Sequence, residues 1–160
     1  KEGVYFYGFE RAREAKGIHI YNNTHYVREG RNVSVFTGGR TPLNTLLENN
    51  IFHFEGRGKW GKNSDGINTK FRNNVYHNIT PHKSDSKAIV ANPMFINPGE
   101  AAGDINLKTL AALRGYHLKP ASPCIDKGLA IKDNGGQDIL KNKVVAGKAD
   151  IGAVENTPIR

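Results

Sequence analysis

The sequence predicts an all-β chain wound as a stacked solenoid, its terminal turns carrying a short helix and a C-terminal closing segment. Three observations predict it. The pair Asn-Asn occurs in one local frame at Asn22-Asn23, Asn49-Asn50 and Asn73-Asn74, at intervals of 27 and 24 residues, the length of one coil in a repeat protein. Apolar residues recur at alternate positions before each pair. The composition, with 18 glycines, 7 prolines and 38% hydrophobic residues, suits many short strands and turns better than a helical bundle.

Aligned on the first Asn, Ile20, Leu47 and Phe71 stand two residues before it, and Ile18, Thr45 and Thr69 four before it. Side chains two apart share one face of a strand, so these positions and the first Asn are predicted to point inward. Tyr21, Glu48 and Arg72, with His19, Leu46 and Lys70, are predicted to point outward. A buried amide left without a partner costs about 1–3 kcal/mol. Asn22, Asn49 and Asn73 are therefore expected to bond one another at about the 4.8 Å strand spacing. The second Asn is expected to take the left-handed conformation of the corner. Thr24, Ile51 and Val75 then open the next strand, with Tyr26, His53 and His77 on the same face.

The remaining elements follow the same plan. Val33 to Phe36 reads as a strand between the first two copies. Arg57 to Gly66 reads as a Gly/Lys-rich loop. Ile89 to Ile96 reads as a degenerate fourth copy in which Asn92-Pro93 replaces Asn-Asn. Beyond Pro98 the pattern breaks. Asp104 can cap a helix from Ile105 to Arg114 that Gly115 stops. Tyr116-His117-Leu118 and Ile151 to Val154 read as strands. One domain results, with coils over 1–98 and a closing segment over 99–160.

The formal charge is +8, from 23 Lys+Arg against 15 Asp+Glu, which attracts polyanions. Basic residues such as Arg11, Arg13, Lys16, Arg28, Arg31, Arg57, Lys59 and Lys62 are dispersed, unlike a nucleic-acid-binding tail. No apolar run reaches the roughly 18 residues of a membrane span. A single cysteine, Cys124, excludes an internal disulfide and a multi-cysteine metal site. The opening Lys1-Glu2-Gly3-Val4 lacks signal-peptide architecture, and the chain reads as a mature or cleaved piece with further coils upstream.

The three Asn-Asn segments resemble coils of right-handed parallel β-helix proteins of the pectate-lyase-like superfamily. Asn92-Pro93-Met94-Phe95-Ile96-Asn97-Pro98, Leu118 to Gly128 and Asp150-Ile151-Gly152-Ala153-Val154-Glu155 resemble the usual ending of secreted bacterial members. The resemblance implies a secreted, periplasmic or cell-surface carbohydrate-active protein. Its partner would be a polysaccharide, and the positive charge favours an acidic or sulfated one. β-Elimination by a lyase is placed before hydrolysis of a glycosidic bond, and a non-catalytic module for glycan binding or adhesion is the alternative. Fold analogy alone does not decide the reaction.

The candidate residues follow from the outward face. Lys70, Arg72 and Glu48 are the catalytic candidates, since a lyase needs a cation against a uronate carboxylate and a base for the α-proton. The plainer reading is a solvated face with a Glu48–Arg72 ion pair, about 0–1 kcal/mol. His19, Tyr21, Arg72, Lys70, Arg57, Lys59 and Trp60 are the substrate-binding candidates. His53 and His77 occupy equivalent positions and could share a metal or act as base and acid, but read as buried structural histidines. Asp65, Asp85 and Glu55 show neither the paired carboxyls of a glycosidase nor the oxygen cluster of a calcium site. Asp133 to Asp138 reads as a turn, Asp126 and Asp150 as acceptors for local backbone N–H groups, and Cys124 as a small buried residue. No metal ligand set is assigned and no cofactor is required, calcium being the ion such proteins could use.

Overall fold

The computed structural model describes residues 4–8, 16–37, 43–61, 66–99 and 110–156. Arg11, Arg13, Lys62, Asp65 and the first part of the predicted helix, Asp104 to Thr109, lie outside them. The described residues form ten strands: β1 (Val4–Gly8), β2 (His19–Tyr21), β3 (Thr24–Val27), β4 (Asn32–Thr37), β5 (Leu46–Glu48), β6 (Ile51–Phe54), β7 (Arg57–Lys59), β8 (Lys70–Arg72), β9 (Val75–His77) and β10 (Ile89–Val90). They make three sheets, ordered β1-β4-β7, β2-β5-β8 and β10-β9-β6-β3, and every strand pairing is parallel. Among the described residues the one helix is a 3-10 helix, Leu110–Tyr116, and no helix is long and apolar enough to cross a membrane.

The register places the repeats on top of one another. Tyr21 pairs with Glu48 and Glu48 with Arg72; Thr24 pairs with Ile51, Ile51 with Val75 and Val75 with Ile89. The Asn-Asn pair is the corner between two sheets, as the spacing predicts, but the two residues exchange the roles expected of them. The first Asn is the left-handed one, with φ of 52° at Asn22, 53° at Asn49 and 60° at Asn73. Asparagine adopts this region more readily than other non-glycine residues. The second Asn carries the inner ladder. Asn23 Nδ2 donates to Asn50 Oδ1 (3.1 Å), Asn50 Nδ2 to Asn74 Oδ1 (2.9 Å) and Asn74 Nδ2 to Asp85 Oδ2 (2.8 Å). The backbone N–H groups of Asn23, Asn50 and Asn74 donate to the same three carboxamide or carboxylate groups. The first Asn residues make an outer ladder: Asn73 Nδ2 donates to Asn49 Oδ1 and to the Lys127 carbonyl, while Asn49 exchanges two bonds with the backbone of Leu129. That outer ladder ties the closing segment to the corners.

The exchange shifts every later side chain by one position. His25, Phe52 and Tyr76 point into the main core, stacked with ring centroids 4.7 and 5.6 Å apart and planes within 11°. They pack with Leu47, Phe71, Val33, Val35, Phe36 and Phe54. Ile51, Val75, His53 and His77 lie on the opposite face, which the sequence reading had turned inward. Phe95, with Leu118, Cys124 and Ile151 from the C-terminal third, covers Ile51 and Val75 in a second cluster. The β10-β9-β6-β3 sheet is thus buried on both faces, as parallel sheets commonly are.

Five local expectations are corrected. Arg57 to Lys59 opens no loop: it is β7, paired with Asn32 to Ser34. Gly58 permits it, because a Cβ there would lie 2.1 Å from the Phe54 ring. Asn92 does not replace the corner. Ile89 pairs with Val75, which sets Asn92 level with Asn78, and Asp85 ends the inner ladder instead. The helix runs through Gly115 to Tyr116, since Gly115 backs directly on the Asn97 carbonyl. Leu118 makes a single antiparallel bridge with Phe95 rather than a strand. Ile151 to Val154 is a series of bends, held by Ile151 N–H to the Cys124 carbonyl and Gly152 N–H to the Asn49 carbonyl, each 3.0 Å.

Candidate functional site

The outward face of β2-β5-β8 assembles five of the predicted residues. Parallel register puts Tyr21, Glu48 and Arg72 in one row and His19, Leu46 and Lys70 in the other. Glu48 is the hub. Its Oε2 lies 2.8 Å from His19 Nε2, and its Oε1 accepts from Arg72 Nε and pairs with Arg72 Nη2. The Glu48 side chain is only 2% exposed, whereas His19 is 37% and Arg72 47% exposed. The ion pair foreseen in sequence is present, but its carboxylate is buried and shared with a histidine rather than solvated. A buried charge stripped of its partners is costly, so Glu48 fixes both donors in place. The His19 ring packs against Tyr21, centroids 4.7 Å apart, and Lys70 stays exposed beside them.

The other substrate-binding candidates lie apart from this group. Arg57 and Lys59 are exposed on β7, in a different sheet. Trp60 follows β7 and is built into the core margin: its indole N–H donates to the Thr80 carbonyl (2.8 Å), and its ring edges onto Phe52, Phe71 and His82. The indole is part-buried against the main core.

A second polar group lies on the outer face of β6 and β9. His53 and His77 are register partners, with ring centroids 4.6 Å apart. Glu55, just after β6, brings its Oε1 to 2.6 Å from His53 Nε2. One donor atom from each of the three residues lies within 4.8 Å of the others. Phe95 stacks on His53 at 5.5 Å, and Tyr26 meets it edge-on at 5.4 Å. His53 is buried, its Nδ1 has no hydrogen-bond partner, and desolvation lowers its pKa, with Glu55 opposing and His77 assisting. Glu55 is the member the sequence did not assign to this group: it lies past the strand end, where no alternation signals its direction. Near this row a cavity of about 370 Å³ is lined by Tyr26, Tyr116, Leu113, Ile139 and Val154, among others.

Four other acids hold backbone. Asp85 accepts from the N–H groups of Asn73, Asn74 and Lys87 and from the Tyr76 hydroxyl. Asp138 accepts from Leu140, Asn142 and Glu155 N–H. Asp150 accepts from Asp126 and Asn156 N–H, and Glu155 from Asp150 N–H. Burial, opposed by the Asp150 N–H bond and helped by neighbouring carboxylates, raises the Glu155 pKa to about 7. Asp133 to Asp138 is the turn the sequence suggests, with positive φ at Asp133, Gly135 and Gly136. The Cys124 thiol is fully buried, which pushes its pKa up to about 11.

No protein-family model matches the chain. It is 31% identical to a lacto-N-biosidase of Bifidobacterium longum subsp. longum over 168 aligned positions, which take in 92% of this chain. The chain spans about 10% of that protein's length.

Proposed function

We propose that the chain forms coils of a right-handed parallel β-helix of the pectate-lyase-like kind, with 1–98 as the coils and 99–160 as their closing segment. The protein that contains it would be a secreted carbohydrate-active enzyme, and this part would bind the polysaccharide along the β2-β5-β8 face. Three parallel sheets in continuous register support the fold. The likeness to a lacto-N-biosidase, a glycosidase by name, supports hydrolysis over β-elimination.

The observation that carries the reading is the Glu48 hub. A buried carboxylate holds an imidazole and a guanidinium, both part-exposed, beside the Tyr21 ring, with Lys70 exposed on the same strand as Arg72. Such a surface offers fixed donors to sugar hydroxyls or carboxylates and an aromatic edge to the sugar ring. It binds rather than cleaves. Arg72 shares its charge with Glu48, which weakens it as the cation a β-elimination requires but leaves its exposed side to donate to a ligand, and a glycosidase needs two carboxyls facing one bond. The charge of +8 supports an acidic or sulfated chain as the ligand.

Affinity electrophoresis of the chain against uronate-containing, sulfated and neutral polysaccharides tests this. Retention should be strongest on the acidic gels and should fall with salt. Arg72→Ala and His19→Ala should each weaken it roughly 10-fold, the worth of a charge-assisted hydrogen bond of about 1.5 kcal/mol. Retention unchanged in both variants would remove this face from the binding site. Equal retention on neutral gels would reject the acidic preference. For the enzyme containing the chain, new reducing ends without an unsaturated, ultraviolet-absorbing product should appear; the unsaturated product would restore the lyase.

A further inference from the structure

We propose that His53, Glu55 and His77 form a binding site for a divalent transition-metal ion of the zinc class, on the face of the β10-β9-β6-β3 sheet opposite the main core. The inference is independent of the glycan reading, which uses another sheet.

Geometry carries it. Parallel register sets the two imidazoles side by side on adjacent strands, a spacing of about 4.8 Å that the fold itself maintains. Glu55 reaches back to the same point, so two nitrogens and one carboxylate oxygen already lie within 4.8 Å of one another. Zinc bonds of about 2.0–2.2 Å place tetrahedral ligand atoms roughly 3.3 Å apart. The group must close by about 1.5 Å at its widest to reach that separation. Glu55, 42% exposed, and the part-exposed His77 can supply that movement, while His53 is 2% exposed and fixed.

The donor set selects the ion. Two imidazoles and one carboxylate suit zinc and its neighbours, whereas calcium and magnesium take sets made of oxygen. The surroundings of His53 suit it too. Its Nδ1 is buried without a partner, so no bond at that atom fixes which nitrogen carries the proton; Glu55 alone holds the proton at Nε2. The ion would take the place of that shared proton, with the tautomer free to adjust. Phe95 and Tyr26 pack against His53 and keep water from it, while the Glu55 side stays open. Three protein ligands with one open position is the arrangement zinc adopts where it also binds water or a ligand.

The test is calorimetric titration of the chelator-treated chain with zinc ion alone, with cobalt(II) absorption as a second readout. One ion per chain should bind, with visible cobalt bands of a tetrahedral site and a raised melting temperature. Glu55→Gln should weaken binding at least 10-fold, and His77→Asn should abolish the cobalt bands, while both variants keep the wild-type circular dichroism. Asp133→Asn, an exposed acid elsewhere, should bind as the parent does. Absence of stoichiometric binding, binding unaffected by both ligand variants, or a preference for calcium over zinc would each overturn the proposal.

Discussion

Asn50 sits at the middle of the inner ladder, and its removal measures what that ladder contributes. Its carboxamide makes four hydrogen bonds: Nδ2 donates to the Ile20 carbonyl (3.0 Å) and Asn74 Oδ1 (2.9 Å), and Oδ1 accepts from Asn23 N–H (3.0 Å) and Asn23 Nδ2 (3.1 Å). Asn50 is fully buried, so water does not replace these partners. A net neutral hydrogen bond contributes about 0.5–1.5 kcal/mol. Asn50→Ala also leaves a void the size of an amide, and its cost should be about 2–4 kcal/mol. Asn23 occupies the equivalent corner one copy earlier but is exposed, and its backbone N–H survives substitution. Asn23→Ala should cost under about 1 kcal/mol. Urea unfolding followed by the fluorescence of Trp60, the single tryptophan, reports both, because its ring edges onto Phe52 and Phe71. Equal losses in the two variants, or a change under about 0.5 kcal/mol for Asn50→Ala, would mean that the ladder is incidental to stability.

Three further outcomes follow from the same structure. Burial lowers the His25 pKa to about 4, the Ile51 carbonyl opposing, so the unfolded chain binds the proton first: this stability is complete above about pH 6.5 and is lost as the pH falls towards 4, about 3 kcal/mol in all. Glu155 acts with the opposite sign, its stability being complete below about pH 4.5 and lost as the pH rises through about 7; Glu155→Gln should remove that alkaline loss and leave the acid limb of His25, and urea midpoints unchanged in slope against pH would contradict both assignments. Gly61→Ala should prevent folding, because a Cβ would stand 1.7 Å from the Phe36 carbonyl oxygen, and a variant with native dichroism and melting would refute that contact. The Cys124 thiol, buried and raised to about 11, should resist a thiol reagent at pH 8 in the native chain and react at once in urea; equal rates in both states would place it at the surface.

The two sheets that meet at the Asn-Asn corner were legible because the corner recurs, whereas of the β1-β4-β7 sheet only Val33 to Phe36 reads as a strand from sequence; the β2-β5-β8 face was legible because it precedes the corner. Leu47 in and Glu48 out follow from simple alternation, and so do Phe71 in and Arg72 out. What lies after the corner was misread for one physical reason. A left-handed residue does not continue the two-residue period of a strand; it interrupts it. Leu47 and Asn50, three apart, both point inward with the left-handed Asn49 between them, and Phe52 and Phe54 follow in the new phase. Continuing the old phase through Asn49 turned His53 and His77 inward and so made them core histidines. Two adjacent identical residues give no compositional sign of which one bends, and a one-residue slip reverses every side chain beyond it. With the phase reset, the same register that stacks His53 on His77 sets them on the outer face beside Glu55, and a pair that sequence read as structural becomes a set of ligand atoms. The closing segment obeys no such period: Ile151 and Gly152 are held by one backbone bond each, to the Cys124 and Asn49 carbonyls, not by a strand partner. Its apolar run signals burial, whereas the contacts that bury it come from residues distant in sequence, which alternation does not encode.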